Sequence, residues 1–156
     1  MNERARELFE RGYERQREGR LDEAIALYRA SIEAEPSAEA HTFLGWAYSH
    51  QNRYDEAIAE CRKAIATDPD FGNPYNDIGA YLLELGKADE AIPWLEKALE
   101  APRYDPRHFP HVNLARAYAA RFEYDLAVKH LEKALEIEPG YPPAARQLSK
   151  LLARMN

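Results

Sequence analysis

The sequence predicts an all-α protein: an α-solenoid of about four helix–turn–helix hairpins closed by a C-terminal capping helix. Three observations carry this expectation. A short segment recurs as LDEAI (Leu21 to Ile25), YDEAI (Tyr54 to Ile58), ADEAI (Ala88 to Ile92) and YDLAV (Tyr124 to Val128), with its alanines Ala24, Ala57, Ala91 and Ala127 spaced 33, 34 and 36 residues apart. Around each recurrence the apolar residues fall at helical spacing in two blocks, divided by a short polar break. A small residue, Gly12, Gly45, Gly79 or Ala115, stands 12 residues before each alanine, where a second helix can approach the first closely.

The first hairpin covers residues 5–37 and breaks at Gly19. Its second helix opens on Asp22, in the first turn, where free N–H groups and the helix dipole favour negative charge. It ends near Pro36, which cannot continue a helix. The second hairpin, residues 38–71, repeats this with Asn52, Asp55 and Pro69, and the third, residues 72–107, with Gly86 and Asp89. The fourth, residues 108–141, breaks at Arg121-Phe122-Glu123, opens its second helix on Asp125 and stops near Pro139. Between the third and fourth, Ala101 to His111 carries two extra residues and three prolines, which predicts an irregular, stiff turn. Stacked hairpins leave one face bare at the end of the stack, and residues 142–155 suit it: Leu148, Leu151 and Leu152 can face the last hairpin while Arg146, Lys150 and Arg154 stay wet.

Composition allows a single domain over residues 1–156. With 46% apolar and 31% charged residues, the 156-residue chain has enough core formers to fold. The single cysteine, Cys61, excludes an intrachain disulfide or a cysteine-rich zinc site, so the core must suffice. A formal charge of −6 with interspersed signs and no basic stripe argues against nucleic acid. Charge begins at the third residue, and no stretch of ~18 apolar residues occurs, so a cytoplasmic protein with no membrane insertion is expected.

The spaced residues resemble the tetratricopeptide repeat family over roughly residues 5–140, with the last helix similar to that family's solvating helix. Leu44-Gly45, Tyr48, Ala57, Ala64 and Pro69 match best. Tyr75, Gly79, Gly86, Ala91 and Ala98 follow in the third unit, and Leu114, Tyr118, Ala127, Ala134 and Pro139 in the fourth. The first unit departs, with Arg11, Arg15 and Ser31 at signature positions, as suits a helix with no neighbour ahead of it. An excess of arginine over lysine points to a bacterial source.

The resemblance implies a right-handed superhelix whose concave groove is lined by the first helices, and a protein or peptide partner held there. In this register the groove carries Phe9, Tyr13, Phe43 and Trp46 as an aromatic patch suited to apolar ligand side chains. Asn73, Asn76 and Asn113 offer amides for a peptide backbone, with Phe109 beside them, and Arg116 and Arg146 could pair with a carboxylate. The alternative for Tyr13 and Trp46 is burial between the helices, and for the asparagines capping near Pro74 and Pro110. One subfamily clamps the carboxylate of chaperone tails with Lys, Asn, Asn, Lys and Arg. The matching positions here, Phe9, Tyr13, Phe43, Asn73 and Asp77 or Thr42, Trp46, Asp77, Phe109 and Asn113, supply no cations, and Asp77 would repel such a tail.

Catalytic readings are weaker. His108, His111 and Asp105 resemble metal ligands on paper, but on a turn broken by Pro106 and Pro110 they need not converge, so no metal or cofactor is expected. Cys61 falls at a core position and reads as an inert thiol. The Asp-Glu pairs recur once per hairpin at a helix start, which structure explains. An adaptor is therefore expected rather than an enzyme, with a self-assembling scaffold as the alternative.

Overall fold

A computed structural model describes residues 1–156, and nine helices account for most of them. They are α1 (Glu3–Arg17), α2 (Leu21–Ala34), α3 (Ala38–His50), α4 (Tyr54–Thr67), α5 (Asn73–Glu84), α6 (Ala88–Glu100), α7 (His108–Ala120), α8 (Tyr124–Ile137) and α9 (Pro142–Met155). Helices α1 to α8 pair as four antiparallel hairpins, each hairpin packs on the next, and α9 packs on α8. No helix is long and apolar enough to cross a membrane.

The four hairpin turns share one backbone solution. A residue after each first helix takes a positive φ: 78° at Gly19, 60° at Asn52, 76° at Gly86 and 62° at Phe122. The N–H one residue later then returns to a carbonyl of the preceding helix, as Arg20 to Arg15, Arg53 to Tyr48, Lys87 to Leu82 and Glu123 to Tyr118. Glycine and asparagine adopt this conformation cheaply, whereas a bulky residue costs ~1 kcal/mol or more. Phe122 does so with its ring 77% exposed. Elsewhere the ends follow local chemistry. Asn2 accepts from the Ala5 N–H at 2.8 Å and Ser37 from the Ala40 N–H at 3.1 Å, capping α1 and α3. Helices α2, α4 and α8 stop two residues before Pro36, Pro69 and Pro139.

Packing explains the small residues. Ala24, Ala57, Ala91 and Ala127 are fully buried, and so is Ala115. A Cβ on Gly79 would lie 2.4 Å from the Leu95 side chain, and one on Gly45 would lie 2.9 Å from the Ala57 carbonyl oxygen. Even one methyl there would overpack the crossing, typically at ~1–3 kcal/mol. A continuous core runs from Ala24 and Tyr28 through Leu44, Ile78 and Leu95 to Leu114 and Ala117. A separate, smaller core of Val112, Ala115, Ala127, Leu131, Ala134, Ala144 and Leu151 holds the fourth hairpin and α9.

Two details differ from expectation. Leu152 is 46% exposed rather than packed on α8. The buried or half-buried stripe of α9 is Ala144, Leu148 and Leu151, spaced four and three residues apart, and Leu152 lies one residue off it. The α6–α7 junction is also more ordered than a stiff turn. Gly72 donates to the Arg103 carbonyl and Arg103 to the Asp70 carbonyl, so the junction is bonded to the α4–α5 turn. Tyr104 is buried there against Gly72, where a Cβ would lie 2.4 Å from that of the tyrosine. The Asp105–Pro106 peptide is cis.

Candidate functional site

Each first helix touches the next in the order α1, α3, α5, α7, while the second helices touch only their neighbouring first helices. The array therefore curves with the first helices inside, and their free faces form one surface. On it lies a hollow of about 690 Å3 lined by Tyr13 from α1, Thr42, Phe43 and Trp46 from α3, Asn73 and Asp77 from α5, Pro106 from the junction and Phe109 from α7. All four hairpins, or the junction between them, contribute to it.

The aromatic side of the hollow is an edge-to-face series. Phe43 meets Tyr13 at 5.7 Å and Trp46 at 5.8 Å between ring centres, and Trp46 meets His50 at 5.0 Å. Tyr13, Trp46 and Phe109 are 40%, 37% and 38% exposed, which leaves much of each ring available. Phe9 does not line the hollow; it sits half-buried between Tyr28 and Phe43 and ties the aromatic wall to the core. Thr42 donates to the Ala38 carbonyl, so its hydroxyl proton is already committed.

Asp77 opens on this hollow and on a second depression of about 400 Å3 beside it, lined by Trp46, Ser49, His50, Tyr54, Ala80, Tyr81 and Glu84. Its carboxylate has no ion-pair partner, and burial alone pushes its carboxyl up to about 7. Cys61, Tyr81 and Tyr104 lie close enough to feel its charge. Cys61 is fully buried, and burial drives its thiol well above the usual range, which makes a poor nucleophile.

Asn76, Asn113 and Arg116 are brought together, but with one another. The Asn113 amide donates to Asn76 at 3.0 Å, and Arg116 donates to Asn113 at 3.2 Å and pairs with Glu84 at 3.0 Å. This chain links α5 to α7 across the groove face, and Asn76 is buried beneath it. Of the asparagines, Asn73 alone lines the hollow. Arg146 is exposed on α9, away from it.

The histidines of the junction diverge. His108 is buried against Phe109 and Tyr141, at 4.2 and 4.6 Å between rings. His111 instead meets His130 of α8, Nδ1 to Nδ1 at 3.0 Å, so one neutral ring donates to the other. This pair was not foreseen, although the repeat register contains its signal. His111 lies four residues before Ala115, and His130 three after Ala127; the same two positions carry His41 and Glu60 in the second hairpin and Tyr75 and Trp94 in the third. All three pairs meet: His41 Nδ1 lies 2.8 Å from Glu60 Oε2, and the Tyr75 and Trp94 rings are 6.2 Å apart. Glu60 is also bonded to Lys63; burial opposes its charge, but these two partners outweigh burial and hold its carboxyl below the usual range.

Comparisons with known proteins agree with this geometry. The type IV pilus assembly protein PilF of Pseudomonas aeruginosa is 27% identical over 135 residues, 86% of this chain and 54% of PilF. Human RNA polymerase II-associated protein 3 is 27% identical over 141 residues, 84% of this chain and 21% of that protein. The chain thus spans about half the length of one relative and a fifth of the other. The solved structure of Pseudomonas aeruginosa PilF superposes with a TM-score of 0.92 at 25% identity, over 99% of this chain and 70% of that one. PilW, a type IV pilus biogenesis factor, gives 0.91 at 22% identity, over 99% and 71%. The first repeat domain of Spaghetti (RPAP3), solved bound to the HSP90 peptide SRMEEVD, gives 0.70 at 24% identity, over 76% and 92%. Tetratricopeptide repeat models match residues 9–70 and 70–139. The recurring small residues, the shared turns and these matches agree: the chain belongs to the tetratricopeptide repeat family.

Proposed function

We propose that the chain is a non-catalytic adaptor that holds a peptide segment of a partner protein in the hollow on its inner face. The observation that carries this reading is the convergence of the first, second and fourth hairpins on one aromatic surface, Tyr13, Phe43, Trp46 and Phe109, in a hollow to which the third hairpin adds Asn73 and Asp77. Rigid aromatic side chains held by a packed scaffold lose little entropy on binding, and such residues dominate interface energetics. Likeness to a protein named for pilus assembly supports a place in a multi-protein assembly. A peptide library displayed on phage and panned on the immobilised chain tests the reading. Peptides recovered on the wild type are expected to bind Trp46→Ala at least ~10-fold more weakly, with circular dichroism showing that the variant keeps its helices. Equal binding to both, or no recovered peptide, would overturn the groove reading.

A second reading is self-assembly through the end of the stack, where Leu152 and Met155 of α9 are 46% and 43% exposed. Light scattering at high concentration separates the two. A dimer that Leu152→Lys converts to monomer supports self-assembly, and a monomeric wild type removes it.

A further inference from the structure

The hollow combines two features that its aromatic lining alone does not explain. One is a carboxylate in its wall with no ion pair: neither Asp77 oxygen meets a cation, and no charged group offsets its burial. The other is that nearby cations are elsewhere. Arg116 is held by Glu84 and Asn113. Arg17 stands near the Tyr13 ring at 5.9 Å but does not line the hollow, so it leaves Asp77 unpaired.

We propose that the hollow takes a cationic side chain of the bound segment, arginine by preference, between the rings of Tyr13, Trp46 and Phe109 and against the Asp77 carboxylate. This deepens the groove reading above and rests on it. A half-buried carboxylate without a partner is unfavourable, and a cation entering the hollow supplies the partner that the fold does not. The rings attract the same charge through their electron-rich faces. A guanidinium is more weakly hydrated than an ammonium and stacks on aromatic rings, so arginine gives up less water on entry than lysine does. Asn73 adds an amide oxygen as a further acceptor. Discrimination follows from the same groups: an acidic side chain meets Asp77 directly, and an apolar one seals the carboxylate from water without pairing it.

Affinity should then depend on pH, because Asp77 must be ionised to pair. The titratable groups near it are Tyr13 from α1, His50 from α3, Tyr54 and Cys61 from α4, Tyr81 and Glu84 from α5 and Tyr104 from the junction. None is a fixed cation. His50 is the one base among them, so His50→Gln separates its titration from that of Asp77.

The test uses peptides recovered from the displayed library on the wild type, each resynthesised with arginine replaced by citrulline, which keeps the shape and removes the charge. Binding is measured for wild type, Asp77→Asn and Trp46→Ala, with folding checked by circular dichroism. The expected result is enrichment of arginine in the recovered peptides and a ~10-fold or greater loss on citrulline replacement with the wild type. With Asp77→Asn that loss should shrink to ~2-fold or less, and in His50→Gln the affinity for the arginine peptide should still rise from pH 5.5 to pH 8. Peptides sensitive to Trp46→Ala but carrying no enriched cation would overturn the cationic pocket and leave the groove reading standing. An undiminished citrulline effect in Asp77→Asn would also overturn it. Recovery of no Trp46-sensitive peptide would overturn both.

Discussion

Asp77→Asn should raise the stability of the free chain at pH 8 and leave it nearly unchanged at pH 3.5. Asp77 has its carboxyl pushed up to about 7 by burial, against an ordinary value of 3.8. Below 3.8 the carboxyl is protonated in folded and unfolded chains alike, and the group costs nothing. Between 3.8 and 7 the unfolded chain releases the proton while the folded chain holds it, so stability falls as pH rises. Above 7 the folded chain carries the full penalty of a half-buried, unpaired carboxylate. At ~1.4 kcal/mol per pH unit the penalty is ~4 kcal/mol at most, and water reaching the open side of the hollow should reduce it to ~2 kcal/mol. An asparagine has nearly the same shape and no charge. Urea unfolding of both proteins from pH 3.5 to pH 8 gives the answer: the variant's advantage should grow with pH and level off above 7. An advantage independent of pH would mean that packing, not charge, is at issue. A gain in stability joined to a loss of affinity for cationic peptides is the pattern of a residue kept for recognition at the expense of the fold.

The hairpins were legible in the sequence because the features that define them are local or strictly periodic. A small residue 12 positions before an alanine, an acidic first turn and a glycine or asparagine at the turn are all visible within one repeat, and even Phe122 adopts the conformation that its position in the period demands. The aromatic members of the hollow could be placed from the same register, since Tyr13, Phe43, Trp46 and Phe109 follow from the aligned small residues. What escaped were relations between repeats. Asn76, Asn113 and Arg116 look like open groups when each helix is read alone, but adjacent first helices bring them within bonding distance of one another and of Glu84. Asp77 could be foreseen as a charge in the groove. Its unusual proton affinity depends on being buried where the α3, α5 and junction elements meet, and that burial is tertiary.

The pair formed by His111 and His130 leads to the opposite pH response, located in one part of the molecule. The two rings share a hydrogen bond whose acceptor ring must be neutral, so the pair cannot take up two protons and keep it. Burial lowers the proton affinity of each. For His130 the neighbouring His111 and Lys133 add to burial, and its value falls to about 4 from an ordinary 6.5. Above 6.5 neither the folded nor the unfolded chain binds a proton there, and the pair costs nothing. As pH falls from 6.5 towards 4 the unfolded chain takes up protons that the folded chain refuses, so stability is lost. At pH 5 the loss should be ~1–2 kcal/mol. Tyr118 stacks on His130 at 5.5 Å, and both histidines join helices of the fourth hairpin, most of whose buried side chains form a core separate from the main one. In a repeat array such a loss is felt first where it occurs. Amide exchange in α7, α8 and α9 should therefore quicken between pH 7 and pH 5 beyond the intrinsic change, while α3 to α6 stay protected. In His130→Gln, which carries no charge at either pH, the excess should be much reduced. The ring signals give the direct reading: the His130 protons should titrate well below pH 6. A midpoint near 6.5 would show the ring to be free to ionise and would remove the acid-labile end from this picture.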